Sequence, residues 1–195
     1  MVAGSLVADG ARTALDVGDV GRRAAQLATC LTIGGATTLA AFFAVGEPWG
    51  TINDTVSIGL AWATVPIAVD LARRHRESRG LGLGVAADLI GVATATVFTS
   101  MLITRRMTFE ESLQPILAGQ AFIGAWLILA GIGAWSDEAS RRASMLGVAG
   151  GAGLVATTVG IATGGMGSPV AAVGFVSAFV GTTGFYALLG RRRAP

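Results

Sequence analysis

The sequence predicts an all-α fold: a polytopic membrane protein built as a bundle of six transmembrane helices, with both termini in the cytoplasm. Charged residues make up 13% of the 195-residue chain, against about a quarter in soluble domains. The apolar residues are grouped into six long blocks, each near the roughly 20 residues that a helix needs to cross a bilayer. The arginines are concentrated in alternate connections between these blocks.

The six predicted spans leave no room for a separate soluble domain. They cover residues 24–45, 51–71, 81–104, 113–135, 143–163 and 169–190. Residues 1–23 carry aspartates and lack a long apolar core, so they are expected to form a cytoplasmic N-terminal tail or short surface helix and not a signal peptide. Residues 24–190 form the membrane domain, and residues 191–195 form a basic cytoplasmic tail.

Local signals mark where several spans begin. The second span opens with the Thr51-x-x-Asp54 spacing of a capping box, and the fourth with Thr108-x-x-Glu111. Ser168-Pro169 places a capping side chain before a proline at the first helical position of the sixth span. Within the second span, Pro66 removes a backbone donor and is expected to kink the helix.

Arginine counts predict the orientation of the spans. With a cytoplasmic N-terminus, the inner segments contain twelve arginines: Arg12, Arg22, Arg23, Arg73, Arg74, Arg76, Arg79, Arg141, Arg142 and Arg191 to Arg193. The outer loops contain Arg105 and Arg106 alone. Twelve against two is a strong positive-inside asymmetry, because basic residues are retained on the cytoplasmic side.

Small residues recur every three or four positions and predict close helix packing. Lipid tails are as apolar as leucine, so helices in a bilayer associate through small residues that let their backbones approach. The predicted packing positions are Gly84, Gly91, Gly147, Gly151, Gly153, Gly160, Gly174 and Gly181. Cys30, Gly34, Thr37 and Ala41 form a similar stripe in the first span. Bulky residues such as Phe175, Phe179 and Phe185 are expected on outer faces.

Polar and aromatic residues within the spans are the candidates for binding a substrate or ion. Asp88 is the leading candidate, because a charged group inside a bilayer is costly and marks function or a specific partner. It is interpreted either as a proton- or cation-binding carboxylate or as a structural aspartate bonded to a Ser or Thr of a neighbouring helix. The other candidates are Thr99, Gln120, Asp54, Trp62 and Trp126.

Each of the other candidates also has a structural interpretation. Gln120 can form an interhelical hydrogen bond. Asp54 can complement the dipole of its helix. Trp62 and Trp126 lie near the middle of their spans and either pack against neighbouring helices or lipid, or line a cavity. Asp70 has ion-pair spacing to Arg73 and Arg74.

The composition argues against several functional classes. One histidine and one cysteine do not provide a metal or haem site, so no cofactor and no metal are predicted. No Ser–His pair lies within the spans and no His-Glu-x-x-His is present, which argues against an enzyme. The net charge of +2 comes from loop arginines that orient the spans, so no nucleic-acid partner is expected.

The segment EPWGTIND at residues 47–54, followed by an apolar span with an internal proline, resembles a Pro-aromatic-Gly-x-x-Asn-Asp turn of small uncharacterised bacterial multi-spanning proteins. The resemblance covers little more than the second helix. It implies location in a membrane and, because such families have no assigned activity, nothing catalytic. The membrane is expected to be a bacterial inner membrane.

Two functional hypotheses follow. The first is transport or binding of a small solute or ion within the bundle, which requires a water-accessible cavity that reaches Asp88. The second is a non-catalytic scaffold or partner subunit of a larger membrane complex. It requires a dry, closely packed interior and contacts to a partner or a second copy through the glycine faces. In both cases the lipid bilayer surrounds the protein.

Overall fold

The computed structural model describes residues 17–76, 78–133 and 138–191, with the backbone alone at residues 138–140. These residues form six α-helices: α1 (Asp19–Val45), α2 (Trp49–Arg74), α3 (Arg79–Ile103), α4 (Phe109–Gly133), α5 (Glu138–Gly164) and α6 (Pro169–Arg191). All six are long and apolar enough to cross a membrane. The predicted bundle of six transmembrane helices is confirmed. Residues 1–16 and 192–195 of the predicted tails lie outside the described residues.

The helix α1 begins at Asp19, five residues before the predicted start of the first span. The reason is a contact with the end of α2, where the Asp70 carboxylate accepts a hydrogen bond from the backbone N–H of Gly18. Asp70 also pairs with Arg74, at 3.5 Å between Oδ2 and Nε, as its spacing predicts. A carboxylate at a helix N-terminus satisfies an otherwise free backbone donor and complements the helix dipole.

The six helices are arranged in a ring. Each helix packs antiparallel against the next in sequence, and α6 returns to pack against α1. Gln26 of α1 joins this last pair by donating from Nε2 to the carbonyl oxygen of Gly190, at 2.9 Å. The ring has an arginine-rich end, which carries nine described arginines: Arg22, Arg23, Arg73, Arg74, Arg76, Arg79, Arg141, Arg142 and Arg191. The end with Arg105 and Arg106 is the opposite end.

The structure places all eight predicted packing glycines at contacts with another helix. Gly84 and Gly91 of α3 face α4, and Gly151 of α5 also faces α4. The remaining five, Gly147, Gly153, Gly160, Gly174 and Gly181, lie between α5 and α6. A methyl group on Gly174 would lie 2.6 Å from the backbone nitrogen of Thr157, which is closer than real side chains approach. The short helix separations therefore depend on the missing side chains.

Two predicted faces are wrong. The stripe that contains Cys30 and Gly34 points away from the ring: Cys30 is exposed, and Gly34 has no atom within 4 Å of where a side chain would begin. The ring side of α1 carries Ala25 and Ala28 instead. Phe185 was expected on an outer face but is fully buried, with its ring 3.1 Å from where a Gly147 side chain would begin. The glycine leaves the space that the phenyl ring fills.

The predicted helix starts have mixed outcomes. The Thr108–Glu111 capping box is confirmed: Thr108 N–H donates to Glu111 Oε2 at 2.8 Å, and Glu111 N–H donates to Thr108 Oγ1 at 3.3 Å. Pro169 is the first residue of α6, as predicted. The Thr51–Asp54 box is wrong, because α2 begins at Trp49 and Thr51 already lies within it. The Thr51 hydroxyl donates instead to Glu47 Oε2, at 3.1 Å.

The packing differs between the two halves of the ring. In the arginine-rich half, large side chains from α2, α4 and α6 fill the centre, among them Ile67, Leu127, Tyr186 and Leu189, all with almost no exposed surface. A smaller buried layer of Ala61, Val92 and Ile123 lies next to it, towards the opposite end. Beyond that layer the ring is hollow.

Candidate functional site

The opposite half of the ring encloses a cavity of about 600 Å³, to which all six helices contribute. An adjoining cavity of about 270 Å³ extends from it between α1, α2, α4, α5 and α6 and shares Asn53, Ser57 and Gln120 with it. We call the two together the chamber. The larger cavity alone has the size of sites that hold small molecules, about 300–1,000 Å³.

Six polar side chains line the larger cavity. They come from α2, α3, α4 and α5: Asn53, Asp54, Ser57, Thr99, Gln120 and Thr157. On α2, Ser57 lies one helical turn from both Asp54 and Asn53, three and four residues away, so it shares a side of the helix with each of them. The sequence prediction included Asp54, Thr99 and Gln120, and the structure brings these three together. It missed Asn53, Ser57 and Thr157, although the spacing of Ser57 from Asn53 and Asp54 is a signal that could have identified it.

Several of these polar groups have free hydrogen-bonding capacity. Within the described residues, the side chains of Ser57, Thr99 and Gln120 form no hydrogen bond to another protein group. By contrast, Asn53 Oδ1 accepts from the Thr38 hydroxyl at 3.3 Å, and Thr157 Oγ1 donates to Gly153 O at 2.9 Å. Buried polar groups are usually paired, so unpaired ones that line a cavity are available to water or a ligand.

The rest of the chamber wall is apolar. It includes leucine and isoleucine side chains from α1 to α5 and aromatic rings at Phe43, Phe109 and Phe175. In the part of the chain that the structure describes, Asp54 is the one ionisable side chain of the lining. An apolar wall with a few convergent polar groups is the usual composition of a small-molecule site.

Asp88, the leading candidate from sequence, does not line the chamber. It is fully buried on α3, seven residues towards the arginine-rich end from the lining residue Ala95, which is about 10 Å along the helix. The layer of Ala61, Val92 and Ile123 lies between these two levels. The transport hypothesis required a water-accessible cavity that reaches Asp88, and the chamber ends short of Asp88, so that requirement is not met.

The Asp88 carboxyl group is held by Thr64 of α2. Thr64 Oγ1 lies 2.8 and 3.0 Å from the two carboxyl oxygens and 2.7 Å from the carbonyl oxygen of Ala61. A hydroxyl group has one hydrogen to donate, so the carboxyl oxygens and the Ala61 carbonyl compete for it. A threonine of a neighbouring helix is the kind of partner that the structural interpretation of Asp88 expects.

The two mid-span tryptophans do not line the chamber either, so the cavity-lining interpretation is wrong for both. Trp62 is 54% exposed and lies on the outer face of α2. Trp126 is fully buried in the arginine-rich half, packs edge-on against Phe185, and its Nε1–H has no hydrogen-bond partner among the described residues. Both tryptophans therefore match the packing alternative, Trp126 as a core side chain and Trp62 on the outer face of the ring. In the described residues no three His, Cys, Asp or Glu side chains are grouped as metal ligands require.

Comparison with known proteins adds no relative: no family model, no curated protein and no solved structure matches the chain. The function has to be argued from the chamber itself.

Proposed function

We propose that this membrane protein binds a small, largely apolar solute in the chamber, as a step in moving that solute across or out of the membrane. The observation that carries the proposal is the contrast between the two halves of one ring. One half is filled with large side chains, and the other encloses a volume of about 600 Å³ with unpaired polar groups on its wall. A purely structural bundle has no need for such a space, because close packing stabilises it.

The proposal includes an orientation of the protein in the membrane. With both termini in the cytoplasm of a bacterium, the filled half faces inward and the chamber faces the outer side of the inner membrane. The nine described arginines at one end support this, because basic residues are retained on the cytoplasmic side. A reporter enzyme that is active only in the cytoplasm, fused after residue 195, should be active. Activity only of an externally functional reporter would contradict this orientation.

Binding is tested by filling the chamber. Ser57 lines both cavities, whereas Thr55 lies two residues away on α2 and is exposed. Ser57→Trp therefore occupies the chamber, and Thr55→Trp is the matched control on the outer surface.

Three probes of similar phenyl bulk would be added to the purified protein in nanodiscs: neutral triphenylphosphine oxide, the tetraphenylphosphonium cation and the tetraphenylborate anion. A ligand that binds the folded state raises the free energy of unfolding by about 2.7 kcal/mol at 100 times its Kd. We expect at least one probe to stabilise the wild type and Thr55→Trp but not Ser57→Trp. Equal behaviour of all three proteins with every probe would contradict a binding site in the chamber.

The scaffold hypothesis predicts a bundle without an internal cavity. It requires a dry interior that is packed from end to end, and the hollow half of the ring does not fit that requirement. The glycine faces that it assigned to partners are instead used within the ring, between α3 and α4, α4 and α5, and α5 and α6.

A further inference from the structure

The charge of the chamber is one-sided. Asp54 is the one ionisable side chain among the described lining residues, and it forms no ion pair with a described arginine. Glu47 lies just before α2, and its negative charge is close enough to interact with that of Asp54. The two arginines of this end, Arg105 and Arg106, line a surface depression together with Glu111; the depression shares Leu102 and Phe109 with the chamber, but neither arginine lines the chamber. The one charge on the described chamber wall is therefore negative, and a negative charge on the wall attracts cations.

The chamber wall suits a cation with an apolar body. The lining has aromatic rings on three helices, at Phe43, Phe109 and Phe175. Aromatic faces attract cations, with most effect where water is excluded. A small hydrated ion would gain little from such a wall, because its charge needs many oxygen ligands. A lipophilic cation can place its charge near Asp54 and its apolar groups against the rest of the wall.

The ring is open to the side at this level. In the arginine-rich half, α1 and α6 are joined through Gln26 and Gly190. In the opposite half, the residues of α1 and α6 that line the chamber include Phe43, Phe175 and Val176, and these are 72%, 47% and 61% exposed. Side chains that line a cavity and are also exposed mark an opening in its wall. This opening faces the lipid, because it lies between two membrane-spanning helices.

From these observations we infer that the solute is a lipophilic cation, which enters the chamber sideways from the bilayer between α1 and α6. The inference rests on the proposed function and specifies its substrate class. The charge of Asp54 selects the cation, the apolar and aromatic wall accommodates its body, and the opening between the two helices matches the location of such molecules, which partition into membranes.

The charge preference is tested with the same three probes. Asp54→Asn keeps the shape of the side chain and removes its charge, and Glu110→Gln removes an exposed charge at the same end outside the chamber lining. We expect tetraphenylphosphonium to bind the wild type more tightly than tetraphenylborate, and Asp54→Asn to weaken its binding about tenfold, as expected for a partly screened ion pair. Glu110→Gln should bind as the wild type does.

The outcomes separate this inference from the proposed function. Tetraphenylborate or the neutral probe could instead bind as tightly as tetraphenylphosphonium or more tightly. If that binding is lost in Ser57→Trp and unchanged in Asp54→Asn, the chamber is a solute site but the solute is not a cation. If no probe shows binding that is lost in Ser57→Trp, both the proposed solute site and its preference for cations are overturned.

The entry route is tested on α6. Ala172 lines the chamber next to the opening, and Val173, one residue further, is 71% exposed and does not line it. In nanodiscs, Ala172→Trp should slow the association of tetraphenylphosphonium several-fold, and Val173→Trp should leave the rate unchanged. Equal association rates in both variants and the wild type would overturn entry between α1 and α6.

Discussion

The contact between α5 and α6 gives the sharpest prediction about stability. A side chain begun at Gly153 would lie 2.6 Å from the carbonyl oxygen of Gly174 and 2.8 Å from the Cα of Ala178. Ordinary contact begins at 3.4 Å, and the backbone nitrogen of Ala178 is closer still than these two atoms, so Gly153→Ala must push α6 away by more than about 0.8 Å. All three obstacles are backbone atoms, which cannot rotate aside. Overpacking of this kind costs about 1–3 kcal/mol.

The matched control is Gly34→Ala on α1, because no atom lies within 4 Å of a side chain begun there. Alanine is favoured over glycine within a helix by up to about 1 kcal/mol, so this variant should be unchanged or stabilised. The free energy of unfolding, measured by reversible unfolding in mixed detergent micelles, should therefore be about 1–4 kcal/mol lower for Gly153→Ala than for Gly34→Ala. Values equal within about 0.5 kcal/mol would refute the close approach of the two helices at Gly153.

Two further variants test the fold in the same unfolding assay. Thr64→Val keeps the side-chain shape but leaves the Asp88 carboxyl group without its partner, which should lower the free energy of unfolding by about 1–3 kcal/mol. In an Asp88→Leu background the same substitution should cost less. If the costs of the two substitutions are simply additive, the pairing is contradicted. Thr108→Ala removes the side chain that caps α4 and should cost about 1 kcal/mol, whereas an unchanged free energy of unfolding would show that the capping box contributes nothing.

The sequence predicted the helices well because a membrane span is a local property. Length and apolar composition define it, and all six predicted spans correspond to helices in the structure. The packing face of α3 was also predicted correctly: Gly84 and Gly91 are buried, and Asp88, Ala95 and Thr99 are buried with them. On that helix the small and polar residues share one face, and Leu89, Ile90 and Val97 on the other face are exposed.

The chamber could not be predicted, because it depends on pairs of residues far apart in the sequence. Phe185 turns inward because Gly147, on another helix, leaves room for its ring. Trp62 turns outward because Ala61 and Thr64 occupy the ring side of α2, and neighbouring residues on a helix point about 100° apart. Asp88 is excluded from the chamber by side chains of other helices. The sequence shows that Asp88 is an unusual residue for a membrane span. That it lies on the arginine-rich side of the buried layer of Val92 and Ile123 follows only from how the helices pack.

The chamber also opens at the end opposite the arginine-rich end, where its lining residues Phe109 and Met166 are exposed, and it ends short of Thr64 and Asp88. Water is therefore expected to reach the chamber from that end alone. The direct measurement is labelling of single cysteines, in a Cys30→Ala background, with a membrane-impermeant thiol reagent added to either side of the membrane. Ser57 and Thr99 line the chamber, whereas Thr64 and Val92 lie seven residues deeper on the same two helices. We predict that cysteines at the first two positions react from the outer side alone, and that those at the deeper two react from neither side. Silence at Ser57 and Thr99 in the folded protein, or reaction from the arginine-rich side, would contradict the chamber.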